Sequence, residues 1–160
     1  MQAEREILLT AAGLKKIEDE LEQLRTVHRK RVADRIRESI QLGVEISENT
    51  EFDDAKNEQA FIEGRIDELR EILATARVIE DGDVLTDSVG IGSIVRVRDT
   101  ETNDDWEWTI VGTVEANPAE DKISNESPVG QALIGKRIGE IATVDIPAGR
   151  AKYEIIGIRK

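Results

Sequence analysis

Five acidic residues and no basic residue lie between positions 45 and 54 of this 160-residue chain. They are Glu45, Glu48, Glu51, Asp53 and Asp54. Carboxylate oxygens suit Mg²⁺, which proteins often hold through one or two carboxylates while phosphate and water complete the coordination. The segment is therefore a candidate for metal-assisted phosphate chemistry. The structural alternative is a solvated turn whose acids favour the start of the next helix.

Two amphipathic helical patterns flank the acidic segment. In the first, apolar residues recur in alternating steps of three and four up to Leu24; the pattern slips at His28 and Arg31 and then resumes in steps of four. Such spacing is typical of a helix that buries one face. The first stripe comprises Leu14, Ile17, Leu21, Leu24, Val32, Ile36 and Ile40, and the second comprises Ala55, Ile62, Ile66, Leu69, Leu73 and Ala76.

The two stripes mirror each other about a centre near Ser47. The mirrored pairs are Ile17 with Ala76, Leu21 with Leu73, Leu24 with Leu69, and Val32 with Ile62. This symmetry predicts an antiparallel coiled-coil hairpin over residues 1–80, with its acidic tip near 44–54 and Thr10 as the first N-cap. Arms of roughly 30 residues would form a rod of about 45 Å at the α-helical rise.

Beyond a linker near Gly82, the helical period gives way to short alternating segments. Period-two alternation predicts strands at 93–98, 105–111, 141–146 and 152–158. Ser127 and Pro128 have the residue types of an N-cap and a first helical position, and they predict a short helix. Trp106 and Trp108 share one face of their strand, where we expect them to pack. Residues 84–160 should thus form a second domain, and the fold class is α+β.

The composition limits the possible partners and chemistry. A net charge of −12 disfavours long-range attraction to bare nucleic acid or an anionic membrane. The absence of Cys excludes thiolate sites and fits a cytoplasmic protein. We find no membrane span or signal pattern, and therefore expect no membrane association or export. The absence of a phosphate-binding glycine loop, a Ser-His-Asp order and an HExxH motif argues against a self-contained enzyme.

A basic stretch lies on the first helix, a few turns short of the acidic segment. It comprises Arg25, His28, Arg29, Lys30, Arg31, Arg35 and Arg37. These side chains could pair with Glu63, Asp67 and Glu68 on the opposite helix, or they could contact RNA phosphates locally. The sequence leaves both interpretations open. His28, the only histidine, lies near the seam, where a packed or pairing role is favoured over that of a metal ligand or base.

Short motifs spread over nearly the whole chain carry a family resemblance. They are Leu9-Thr10 with Gly13-Leu14, Ser47-Glu48-Asn49-Thr50-Glu51-Phe52 with Ala55-Lys56, Glu63-Gly64-Arg65-Ile66, Ile123-Ser124 with Ser127-Pro128, and Leu133-Ile134-Gly135-Lys136. The chain resembles the Gre-family transcript cleavage factors of bacterial RNA polymerase, of the GreA type. That resemblance implies an N-terminal antiparallel coiled coil and a C-terminal FKBP-like domain.

The resemblance also implies a function. The C-terminal domain is expected to dock at the rim of the polymerase secondary channel, with Ser127 and Pro128 as contacts. The coiled coil would then reach the active centre, where the polymerase hydrolyses backtracked RNA by two-metal chemistry. Glu45 and Glu48 are the expected ligands of a Mg²⁺ shared with the polymerase. Such a factor has no cofactor of its own and is not itself an enzyme.

Further residues acquire roles through the same resemblance. Ser47 and Asn49 flank the key glutamate Glu48, and Phe52 stands where the family has an aromatic residue. Lys56 matches a basic residue expected to contact the RNA 3′ segment. Arg37 is a second expected RNA contact, on the separate ground that it belongs to the basic stretch of the first helix. We expect the free protein to be a monomer.

One departure from the family pattern concerns the expected metal ligands. The family reads Gly-Asp-Leu before the Ser or Lys position, whereas this chain reads Gly43-Val44-Glu45-Ile46, which is one residue longer and lacks Asp. Either Glu45 replaces that Asp, or Val44 takes its place and a ligand is lost. We expect stimulation of cleavage, which a displaced ligand would weaken because Mg²⁺ demands near-octahedral geometry.

Two other functions are compatible with the sequence. The altered tip could belong to a channel-binding regulator that inhibits polymerase without promoting cleavage. Alternatively, the second half could be an FKBP-like binding module or prolyl isomerase on a coiled-coil spacer. The five aromatic residues of the chain argue against the last alternative, because proline-binding grooves are usually lined by aromatic side chains.

Overall fold

A computed structural model describes residues 6–41, 43, 45 and 48–160. The chain divides into two compact units, each with its own core. One unit is Lys15–Thr75, and the other joins the described residues up to Leu14 with Ala76–Lys160. None of the helices in these described stretches is long and apolar enough to cross a membrane.

The first unit contains the helical hairpin that the mirrored stripes predict, apart from residues 11–14 at the start of its first arm. Its first arm consists of α1 (Ala11–Gln23), a π-helical segment (Leu24–His28) and α2 (Arg29–Gln41), and its second arm is α3 (Thr50–Thr75). Thr10 caps α1 as expected, since its hydroxyl oxygen accepts the backbone N–H of Gly13 at 3.1 Å. The hairpin prediction is therefore confirmed.

The π-helical segment explains the slip in the first apolar stripe. A π-helix bonds residue i to i+5 and so takes up more residues per turn than an α-helix. The stripe therefore changes phase between Leu24 and Val32, where the sequence shows the irregular spacing at His28 and Arg31. The hydroxyl of Thr26 within this segment donates to the Glu22 carbonyl at 2.7 Å.

The hairpin core contains most of the predicted stripe, with two corrections. Val32, Ile62 and Ile66 form its buried centre, against which Leu21, Leu24 and Ile36 pack. Ile40 was expected in the stripe but is 52% exposed, because at the end of α2 the buried residue is Ser39. Near the end of α3, Ile72 is buried and Leu73 only half-buried, since the apolar face there takes in two consecutive residues. Ala76 follows the end of α3.

The second unit is built on a five-stranded sheet. Its strands are β3 (Ile94–Asp99), β4 (Asp105–Val111), β5 (Lys122–Ser124), β6 (Ile141–Ile146) and β7 (Gly149–Arg159), in the order β5-β4-β3-β7-β6. Neighbours are antiparallel except β4 and β5. A separate parallel pair joins β1 (Leu8–Thr10) to β2 (Arg77–Ile79). The α+β class and the four predicted strands are confirmed, whereas β1, β2 and β5 were not predicted.

One face of the sheet carries the core of this unit. Alternating residues of β3, β4 and β7 point to that face, and the short helix α4 (Pro128–Leu133) contributes Leu133 to it. The buried cluster comprises Val89, Val95, Val97, Ile110, Leu133, Ala142 and Ile155. Gly130 lies so close to the Ser124 carbonyl that a Cβ there would overlap the oxygen. The helix therefore requires a glycine to pack against the end of β5.

Three of the five aromatic residues form a single cluster on the sheet. Trp106 and Trp108 stack with centroids 6.2 Å apart, and Tyr153 meets both rings edge-on at 6.0 and 5.1 Å. Trp108 and Tyr153 also pack against the buried core. Burial raises the pKa of the Tyr153 hydroxyl, and the nearby charge of Asp99 raises it further. The prediction that the two tryptophans share a face is confirmed. Trp108 packs against the core as expected, whereas Trp106 is 38% exposed and contacts the other two rings.

Candidate functional site

The acidic tip lies between the end of α2 and the start of α3. Gly43 follows α2 with a φ of 72°, a left-handed conformation that glycine adopts without steric cost. The backbone N–H of Glu48 then donates to the carbonyl of Glu45 at 3.0 Å. This turn places both glutamates on one short segment directly before α3. Ser47, predicted to flank Glu48, and Val44, the alternative to Glu45, lie outside the described residues.

The side chains of Glu45 and Glu48 are exposed to solvent. Within the part of the chain that the structure describes, neither carboxylate forms an ion pair or a side-chain hydrogen bond. Both glutamates therefore keep their oxygens accessible to an external ligand. They are the two acidic residues that precede the helix.

The other three acids of the segment lie in the first turn of α3 or directly after it. Glu51 and Asp53 occupy the first turn, where their negative charge interacts favourably with the positive end of the helix dipole. Glu51 also lies 3.6 Å from the guanidinium of Arg35 on α2. Asp54 follows and is exposed. The acidic segment thus combines the two interpretations, with helix-stabilising acids on α3 and accessible carboxylates in the preceding turn.

The sequence did not predict that the side chain of Asn49 is buried. It is only 3% exposed. Its side-chain Oδ1 accepts the backbone N–H of Phe52 at 3.0 Å, and its Nδ2 donates to the carbonyl of Ser39 at 2.7 Å. Asn49 therefore flanks Glu48 in sequence while its amide faces into the hairpin. The available signal was an Asn before a helix, a common N-cap type.

The two predicted RNA contacts are exposed on opposite arms near the tip. Lys56 is on α3, and its ammonium donates to the side-chain oxygen of Gln59 at 3.0 Å. Arg37 is on α2, with its guanidinium 3.4 Å from the carboxylate of Asp34. Both contacts are short-range within one helix and between exposed or half-exposed groups. Neither side chain is held in the hairpin core, so each remains accessible to a phosphate.

Much of the basic stretch joins the two arms. Arg29 forms a two-point contact with Glu63 at 2.8 and 2.9 Å, and Arg35 donates to Glu58 at 2.6 Å. Arg31 also reaches Glu58, at 3.2 Å. The Arg29 hydrogen bond lowers the pKa of Glu63, and the Glu58 hydrogen bond raises the pKa of Arg35. These contacts favour the pairing interpretation for the three arginines. Of their two partners, Glu63 was predicted and Glu58 was not.

The predicted docking residues lie at the start of α4. The Ser127 hydroxyl accepts the backbone N–H of Gly130 at 3.0 Å and donates to the Ser124 carbonyl at 2.7 Å. Pro128 is the first residue of the helix and is exposed. Ser127 therefore acts as the predicted N-cap, and its side chain shapes the surface that displays Pro128. Their contact with a partner stays a prediction.

The donor set at the tip fits Mg²⁺ only in part. Glu45 and Glu48 supply the carboxylate oxygens that this ion prefers. Among the described residues, however, no group of three or more His, Cys, Asp or Glu side chains could hold a metal. Two carboxylates on an exposed turn leave most of the coordination to water, phosphate or a partner protein.

Together, the fold and the tip define a class of protein with a helical hairpin that presents two accessible glutamates and a separate α+β unit. A family model for the N-terminal domain of transcription elongation factors matches residues 7–78, and one for the C-terminal domain of GreA/GreB matches 84–160. The chain belongs to the GreA/GreB family of transcription elongation factors. The family resemblance of the motifs is thereby confirmed.

Individual relatives match over the full length of the chain. It is 55% identical over 160 residues to the transcription elongation factor GreA of Alkaliphilus oremlandii, covering 100% of both chains. It is 52% identical over 160 residues to that of Acetivibrio thermocellus, again covering 100% of both. A crystal structure of GreA factor homolog 1 of Thermus thermophilus shares 31% identity, with 98% of this chain and 100% of that chain covered and a TM-score of 0.43.

Proposed function

We propose that this protein is an elongation factor that enters the secondary channel of bacterial RNA polymerase and stimulates cleavage of backtracked RNA. It would act in the bacterial cytoplasm, where it rescues arrested complexes. The family membership supports a role in elongation, and relatives named as elongation factors lend no support to the inhibitory alternative. In this proposal the hydrolytic activity belongs to the polymerase, and the factor is an accessory protein.

The observation that carries the proposal is the turn that joins Glu45 to Glu48. Both carboxylates are exposed. The two residues are three apart in sequence, and the hydrogen bond from the Glu48 N–H to the Glu45 carbonyl holds them in one turn. We infer that Glu45 takes the role of the family Asp, because it shares a turn with the key glutamate Glu48.

In this proposal the chain supplies ligands and contacts, and the polymerase supplies the remainder of the site. Glu45 and Glu48 would hold a Mg²⁺ shared with the polymerase, which supplies positive charge to the phosphodiester under attack. Lys56 and Arg37 would contact phosphates of the extruded RNA from the two sides of the tip. The surface formed by Ser127 and Pro128 would dock at the channel rim.

The test is RNA cleavage in an artificially backtracked elongation complex. Glu48→Gln removes one negative charge while retaining the shape of the side chain, and Glu45→Gln does the same at the neighbouring position. We expect each change to slow the release of short 3′ RNA fragments at saturating factor, by about 100-fold for Glu48→Gln, as for other losses of transition-state charge stabilisation. The half-saturating factor concentration should not change, because docking uses the other unit.

Glu71→Gln is the matched control. Glu71 is an exposed glutamate on α3, in the same unit but far along the helix from the tip. This variant should cleave at the wild-type rate. Wild-type cleavage by both Glu45→Gln and Glu48→Gln, with polymerase binding retained, would overturn the proposal. If the unmodified protein inhibits RNA synthesis and causes no release of RNA fragments, the inhibitory alternative is favoured.

A further inference from the structure

Asn49 uses both ends of its side-chain amide inside the hairpin. The oxygen accepts the Phe52 N–H at 3.0 Å, which caps α3, and the nitrogen donates to the Ser39 carbonyl at 2.7 Å, on α2. Asn49 and Ser39 are each 3% exposed, so water has little access to this contact. The amide therefore connects the last turns of the first arm to the first turn of the second.

The capping role alone does not require an asparagine. An N-cap needs a side-chain acceptor, which Ser or Asp supplies about as well as Asn. What asparagine adds is a donor on the same planar group, and here that donor bonds to the opposite arm. The Ser39 hydroxyl donates to the Ile36 carbonyl at 2.6 Å, and the Ser39 backbone carbonyl accepts the side-chain N–H of Asn49.

We propose that Asn49 is a positioning residue for the tip carboxylates. It directly follows Glu48, so anchoring Asn49 to both helices also anchors the backbone from which the Glu48 carboxylate extends. The Glu48 N–H then closes the turn on the Glu45 carbonyl. This inference rests on the proposed function for its catalytic consequence, but the bridge between the arms has a readout of its own in the free protein.

Amide hydrogen exchange in the free protein measures the bridge directly. Asn49→Ser retains a cap acceptor and removes the donor to Ser39. We expect the Glu48 amide to exchange about 10-fold faster in this variant, while the Phe52 amide keeps most of its protection. Asn57→Ser makes the same chemical change at an exposed position of α3 and should leave both amides unchanged. Unchanged exchange at Glu48 in Asn49→Ser would overturn the bridge.

Cleavage kinetics measure the consequence for the reaction. At saturating factor, Asn49→Ser should lower the maximal cleavage rate about 10-fold, since misplaced catalytic groups cost rate. The half-saturating factor concentration should stay unchanged, and more Mg²⁺ should be needed for half-maximal rate. Faster Glu48 exchange with a wild-type cleavage rate would overturn the positioning role. Wild-type cleavage by both Glu45→Gln and Glu48→Gln would instead refute the proposed function, and the exchange data would still decide the bridge.

Asn49→Asp serves as the second variant. It keeps the cap oxygen and the size of the side chain but places a carboxylate oxygen against the Ser39 carbonyl in place of the donor. It should therefore slow cleavage at least as much as Asn49→Ser, while the cap of α3 and the helix content are retained. Circular dichroism of both variants separates positioning from folding. Loss of helix content in both would show that the contact is a folding requirement and would overturn the positioning role.

Discussion

Replacing Ile66 by Ala tests where the hairpin core lies. Ile66 is 0% exposed and packs at the centre of the cluster with Val32 and Ile62. The change removes three carbon atoms from a fully buried side chain. At about 0.8 kcal/mol for each buried methylene, the lost transfer free energy is about 2.4 kcal/mol. A residual cavity raises the expected loss of hairpin stability to about 3 kcal/mol.

Ile40→Ala is the matched control. The chemical change is the same, and the apolar stripe of the sequence places both isoleucines in the buried face. Because Ile40 is 52% exposed, about half of the transfer term applies and no enclosed cavity forms. The expected loss is therefore about 1 kcal/mol or less.

Urea unfolding of the full chain, followed by helical circular dichroism, measures both variants. Most helical residues belong to the hairpin, so this signal follows the unit that contains the two positions. An equal loss of unfolding free energy in Ile40→Ala and Ile66→Ala would refute the burial argument, because it would mean that the stripe continues to the end of α2.

The remaining predictions concern packing and charge. Gly130→Ala should lower the melting temperature of the α+β unit, monitored by tryptophan fluorescence, because its Cβ would overlap the Ser124 carbonyl. The difference in unfolding free energy between the wild type and Glu63→Gln should be constant at neutral pH. It should shrink as the pH falls below 4.5 and vanish once the pH is below the lowered pKa of folded Glu63, because protonation ends the Arg29 contact. Glu115→Ala should cost about 1–3 kcal/mol of unfolding free energy, because the Glu115 carboxylate accepts both the N–H and the hydroxyl of Thr10 at 2.7 and 2.6 Å.

The composition of the chain did not predict the aromatic cluster. Five aromatic residues in 160 are few, and this count argued against an aromatic-lined groove. The structure nevertheless brings Trp106, Trp108 and Tyr153 together. Tyr153 is distant in sequence and reaches the tryptophans only because β3 pairs with both β4 and β7. A count of residues carries no information on such long-range pairing.

The sequence by itself determined the two-arm hairpin, the α+β class and the position of the acidic segment. These features are local, because they follow from apolar periodicity and from residue types at helix ends. The π-helical segment is visible in the sequence as a slip of the first apolar stripe, but the slip does not reveal the backbone conformation that causes it. Periodicity reports which face of a segment is apolar.

Only the tertiary structure decided which polar groups of the tip serve the fold and which remain accessible. Glu48 and Asn49 are adjacent and polar, yet one is exposed and the other is 3% exposed. The difference arises because Asn49 meets the Ser39 carbonyl on the opposite arm, 10 residues earlier in the chain. A buried amide requires partners for both its donor and its acceptor, and the approach of two helices provides them.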